Sequence, residues 1–247
     1  MNITDFLKTM FFVNPAQSGL QRQADEPDLP PIGEMMARLL PLSEEDWTLY
    51  AFSREPLRGR FTREQRLNMA EASRDCAQES FDALCREHGQ AGPNALAKAL
   101  GVEIKRLARS GGGSHVLFAQ YAPPAAVTIF TDCLERAQTS LRECGELVPC
   151  TADFIEDVLL AHELFHHVEH LSDTIYTKSH REELWELGPI KNRSPVACLS
   201  EIAGMHFAKL LADPPFYPYM LDVLLAYGYS HTAAARLYCS ILEAVQL

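Results

Sequence analysis

The run DVLLAHELFHHVEHL, residues 157–171, holds four of the nine histidines in this chain. On a helix, His162 and His166 stand one turn apart on one face, so their imidazoles can share one metal ion. Zinc is the metal that this spacing implies. Glu163 follows the first histidine, rotated by about 100° around the helix, and can reach a water bound to the ion. Zinc lowers the pKa of such a water to about 7, and the carboxylate takes its proton as the water attacks a carbonyl. The neighbouring Ile155, Val158 and Leu159 are apolar and place the pair in a dry interior. An acid at position 163 of a buried apolar segment has no evident structural purpose, which favours a chemical one.

Catalytic zinc usually has three protein ligands. The spacing with a third histidine, H-E-x-x-H-x-x-G-x-x-H, is excluded, because Glu169 and Ser172 stand at its last two fixed positions. The remaining source is a carboxylate further along the chain. Glu201 fits best: it lies in an otherwise apolar helical stretch, where a charge needs a partner. Small residues flank it at helical spacing, Ala197, Gly204 and Ala208, and allow two helices to approach closely. Glu182 and Glu183 are rivals in a highly charged, loop-like stretch. Cys198, one turn before Glu201, reads as a packing residue rather than a fourth ligand. His170 reads as an exposed histidine at a helix end, where its charge suits the dipole. Tyr176, His180, His206, Tyr217, Tyr219 and His231 are all candidates for stabilising an oxyanion.

HELFHH with its leading helix, and the later LSEIAGMHFAKLLADP, resemble the ImmA/IrrE-type metallopeptidase family. The upstream ALAKALGVEI, a hairpin, VTIF and a helix before the HELFHH segment extend the likeness over roughly residues 94–215. The resemblance implies a compact, gluzincin-like fold with a zincin-like active-site helix. It places zinc on His162, His166 and Glu201, and makes Glu163 the general base. This chain departs from the family pattern in three places. Phe165 replaces a glycine, Ala203 replaces a second acid, and the stretch Ser172–Arg193 is longer than usual.

The elements that position these residues are mostly helical. Thr62 and Gln65 form a capping box for a helix over 62–88 that stops at Gly89. Shorter helices are expected over Gly33–Leu40, from Ser43 onward, and over Asn94–Leu100. Val102–Leu107, Val116–Tyr121 and Val127–Thr131 read as strands. Gly111–Gly113 reads as a flexible hairpin loop, since no Lys-Ser/Thr ending makes it a phosphate loop. Helices follow over Cys133–Cys144, Thr151–Leu171, Pro195–Leu211, Phe216–Tyr227 and His231–Val245, with Ser194-Pro195 as a start signal. The fold class is therefore α+β, a small, mostly antiparallel three-stranded sheet packed on several helices. Residues 1–61 read as an N-terminal extension or cover, and residues 62–247 as the metallopeptidase domain.

Composition limits the partners. The chain has 247 residues and a formal net charge of −11. Such an acidic surface repels phosphate backbones, so no nucleic acid is expected. The basic trio Lys105, Arg106 and Arg109 reads as a solvated face. No apolar run is long enough for a membrane span. Seven cysteines without a C-x-x-C pair suit a reducing compartment, and the N-terminus does not read as a secretory signal, so the expected location is cytoplasmic. The expected partner is a peptide or protein substrate. A zinc-bearing regulatory or protein-interaction module with little peptidase activity is the alternative.

Overall fold

Ile32, Met35, Met36 and Leu39 recur at helical spacing and bury one face of α1 (Ile32–Leu39). The computed structural model describes residues 29–108, 117–187 and 190–246. Helix α2 (Glu44–Ser53) opens on a capping box between Ser43 and Asp46 and buries Trp47 through Phe52. The long helix α3 (Arg63–His88) has the expected Thr62–Gln65 box. It ends at Gly89, whose φ of 75° lies in the left-handed region that favours glycine. Helix α4 (Pro93–Ala99) leads into the sheet.

Strands β1 (Glu103–Leu107), β2 (Ala119–Ala122) and β3 (Ala126–Phe130) form a sheet in the order β1-β3-β2. Only β2 and β3 are antiparallel; β1 runs parallel to β3. One of the two pairings in this sheet is thus antiparallel and the other parallel. The apolar β3, with Val127, Ile129 and Phe130 buried, takes the centre. The charged β1 takes an edge, where exposed Lys and Arg discourage further pairing. Lys105 pairs with Glu103, and Arg106 donates to Glu156 at 2.8 Å, so these two cations form a paired surface face. The expected strand start at Val116, together with Arg109 and Gly111–Gly113, lies outside the described residues.

Helix α5 (Thr131–Cys144) precedes α6 (Ala152–Leu171), the helix of the HELFHH motif, whose N-terminus is capped by the Thr151 hydroxyl. A one-turn helix α7 (Tyr176–Ser179) and a hairpin of β4 (Arg181–Leu187) and β5 (Ile190–Pro195) occupy the segment expected to be loop-like. Cross-strand charges stabilise this hairpin: Glu183 meets Lys191 and Arg193, and Lys191 also meets Glu186. The register shift between Glu183 and Trp185 breaks the alternation that would reveal a strand. Ser194-Pro195 closes β5 instead of starting a helix, and α8 (Cys198–Ala212) begins three residues later. Helices α9 (Met220–Tyr227) and α10 (His231–Val245) complete the chain.

The whole is α+β with two small, mostly antiparallel sheets. Helix α6 packs against the β2–β3 face on one side and α8 on another. Helix α8 lies between α6, α3 and α2 and is buried around most of its circumference. Side chains of α1 and α2 share one continuous core with those of α6, α8, α9 and α10. No described helix is long and apolar enough to cross a membrane.

Candidate metal centre

Helices α6 and α8 meet where glycine is required. A Cβ on Gly204 would lie 2.9 Å from Cε1 of His162, so the imidazole rests directly on the α8 backbone. That contact sets the depth at which Glu201, one turn earlier on α8, faces α6. Phe165 is wholly buried and packs on Phe207 of α8 with ring centroids 5.8 Å apart. This aromatic side chain thus fills space between the same two helices.

The structure brings His162, His166 and Glu201 together: one ligand atom from each lies within 4.8 Å of the other two. His162 Nε2 is 3.3 Å from Glu201 Oε2, and His166 Nε2 is 3.5 Å from Glu201 Oε1. The two Nε2 atoms are 3.0 Å apart. His162 and Glu201 are 2% and 1% exposed, and the His166 side chain 12%. This buried group could hold a metal ion.

The surrounding charge favours a cation. Burial pushes the Glu201 carboxyl up, but the His162 contact and the two imidazoles hold it below its ordinary range. Burial pulls His166 down, yet Glu169, Glu201 and Glu163 hold it up at about 9. Three carboxylates around two imidazoles attract positive charge at the point where the ligand atoms converge.

Glu163 lies beside this group and is 4% exposed. Its Oε2 accepts the backbone N–H of Tyr121 on β2 at 2.6 Å. The acid therefore has a structural partner, against the expectation that nothing in the fold called for one. Burial pushes its carboxyl above the ordinary range, while His162 and His166 partly offset the effect.

Glu182 and Glu183 do not join the group: Glu182 faces Arg60, and Glu183 faces Lys191 and Arg193. Cys198 packs in the core with its backbone N–H on Glu55 Oε2 at 3.0 Å. Burial and the Glu55 carboxylate push its thiol well up, so it stays a neutral thiol. His170 is exposed, as expected for a helix-end residue. His167 is buried, with Nδ1 3.2 Å from the Tyr121 hydroxyl.

The aromatic and histidine candidates for an oxyanion donor are engaged in packing. Tyr217 and Tyr219 both stack on Trp47, with centroids 6.0 Å apart in each pair. His231 stacks on Tyr227 at 3.9 Å, and Tyr176 tilts against His180 at 5.1 Å. His206 lies near Glu44 and Arg74. Tyr121, which borders Glu163, was not singled out by sequence, because its neighbour lies on another element. Glu169 is a second residue that was not singled out by sequence. It is buried on α6 three residues after His166, with Oε2 3.6 Å from His166 Nδ1. The i, i+3 spacing was its signal.

No family model, curated protein or solved structure matches the chain.

Proposed function

We propose that the chain is a zinc-dependent metallopeptidase that uses His162, His166 and Glu201 as ligands and Glu163 as general base. The carrying observation is the buried convergence of these three ligand groups beside a fourth, base-capable carboxylate. Zinc–nitrogen and zinc–oxygen bonds of about 2.0–2.1 Å in a tetrahedron give ligand–ligand edges of about 3.3 Å. The separations of 3.0, 3.3 and 3.5 Å lie around that value. The donor set of two imidazoles and one carboxylate suits zinc, and the resemblance to ImmA/IrrE-type metallopeptidases points the same way.

Bound zinc supplies Lewis acidity and makes a water molecule acidic near neutral pH. Glu163 is the proton acceptor, and the Tyr121 N–H holds one of its oxygens in place. Its raised carboxyl pKa suits a group that takes a proton and then returns it to a leaving amine. The low exposure of the group excludes bulk water and strengthens every charge interaction within it.

Glu163→Gln tests the reading, since the amide oxygen can still accept the Tyr121 N–H while the proton acceptor is lost. The variant keeps one zinc per chain by elemental analysis and loses about 10²–10⁴ in peptide hydrolysis. His166→Ala loses the zinc. Wild-type protein that neither carries zinc nor takes it up after reconstitution overturns the proposal.

The Tyr121–Glu163 hydrogen bond favours one second reading, a zinc-bearing regulatory or interaction module. There Glu163 would serve to tie β2 to α6. Zinc-loaded wild type and Glu163→Gln that are equally inert across a broad peptide library select that reading.

A further inference from the structure

Glu169 is an anion in an unfavourable place. It is 7% exposed and lies in the last turn of α6, where the helix dipole also disfavours negative charge. Two elements supply compensation. Thr177 of α7 donates its hydroxyl to Oε1, and Ser200 of α8 donates to Oε2 at 2.8 Å. The same Ser200 oxygen is 3.4 Å from His166 Nδ1. A serine hydroxyl has one proton. Here it goes to the carboxylate, so Ser200 can meet His166 only as an acceptor, and Nδ1 must carry hydrogen.

We propose that Glu169 and Ser200 form a positioning pair that keeps a hydrogen on His166 Nδ1 and so presents Nε2, toward His162 and Glu201, as the ligating nitrogen. The inference rests on the zinc-site reading above. An imidazole ligates through a nitrogen only when that nitrogen is unprotonated, and the partner of the other nitrogen selects the tautomer. Ser200 immediately precedes Glu201, so one short stretch of α8 provides both a ligand and the group that orients another ligand. Through Thr177, the pair also ties α7, which leads into the β4–β5 hairpin, to the metal centre.

The test is zinc affinity of the full chain, measured by competition with a chromogenic chelator, for wild type, Ser200→Ala, Glu169→Ala and the double variant. Each single change weakens zinc binding about 10–100-fold. The double change weakens it no more than the stronger single change, because the two residues act as one unit. The melting temperature of each metal-free variant, measured alongside, separates a folding defect from a loss of ligand orientation. Thr177→Val removes the far donor to Glu169 without touching His166, and weakens zinc by a smaller factor. If Glu169→Ala fails to fold, Ser200→Ala and Thr177→Val decide. Wild type that binds zinc, with Ser200→Ala and Glu169→Ala within twofold of it, overturns this inference alone. Additive losses overturn the one-unit relay. Wild type that binds no zinc overturns the inference together with the reading it rests on.

Discussion

Gly204 lets the α8 backbone lie directly against the His162 ring of α6. Replacing it by alanine places a methyl carbon 2.9 Å from the His162 ring. Glycine in a helix interior costs about 1 kcal/mol relative to alanine, so the backbone gains from the change. The steric conflict acts on the ring, which must shift from its present position against Glu201. Gly204→Ala is therefore expected to alter global stability little and to weaken zinc binding at least about tenfold. Isothermal titration of metal-free protein checks it, and wild-type affinity in the variant would show that the ring adapts without loss. Phe165 behaves differently, because it fills volume between the helices. Phe165→Ala should cost about 3–5 kcal/mol in urea unfolding, the usual range for a buried phenylalanine. The residue's role is to set the helix spacing, and no ligand contact is needed to explain it.

At the scale of elements, α8 is held from a distance. Its first backbone N–H donates to Glu55, a wholly buried carboxylate in the turn after α2, which also accepts the Leu57 N–H at 3.0 Å. A helix start is normally satisfied by a residue immediately before it; here a residue 143 positions away does so. Glu55→Ala leaves the buried Cys198 N–H without that acceptor, at a cost of about 1–3 kcal/mol, and frees the half-buried Leu57 N–H as well. The expected result is a lower urea midpoint with an unchanged slope. A shift no larger than that of an exposed Glu→Ala control, such as Glu71→Ala, would show that water replaces the carboxylate. The hairpin is held by the same kind of reach. Arg60 donates to the carbonyls of Glu183 and Leu184, beside the register shift of β4.

At the scale of the whole molecule, the proposed zinc and pH act on a single core. A zinc ion on His162, His166 and Glu201 would join α6 and α8, so a chelator that strips it should lower the melting temperature, since a ligand of the folded state alone stabilises that state. An unchanged melting curve after verified stripping would remove any stabilising share for the ion. Asp222 sets a second dependence. It is buried on α9, where Tyr50 donates to it at 3.0 Å and Arg54 lies 3.3 Å away. Burial raises its pKa from 3.8 to about 6, with Arg54 and Tyr50 opposing the rise. The folded chain thus holds this proton more tightly than the unfolded chain. Its effect on stability is absent below about pH 4 and grows to a destabilisation of up to about 3 kcal/mol as pH rises past 6. Asp222→Asn should remove that part of the slope between pH 4 and 6, read as the difference from wild type in urea midpoints. Parallel pH profiles in the two proteins would place the titration elsewhere.

Sequence by itself determined the features that depend on neighbours along the chain. The helical period puts His162 and His166 on one face whatever surrounds them. Capping chemistry located the starts of α2, α3 and α6, because a cap and its amide lie within three residues. Glu201 was legible as a charge in an apolar helix with small neighbours, but spacing alone left Glu182 and Glu183 as rivals. Tertiary structure decided between them, because only folding reveals that those two acids face Arg60, Lys191 and Arg193 in a hairpin. The hairpin was hidden by a register shift and by charges that make a strand look like a loop. The same holds for the parallel placement of β1, the Tyr121 amide on Glu163, the Glu169–Ser200 pair and the Glu55 cap. Each joins groups far apart in sequence, and their meeting is set by which faces the core buries. Residues 1–61 read from the sequence as an extension or cover, and within the described part Trp47, Tyr50 and Phe52 belong to the common core, since burying such large side chains together gains most.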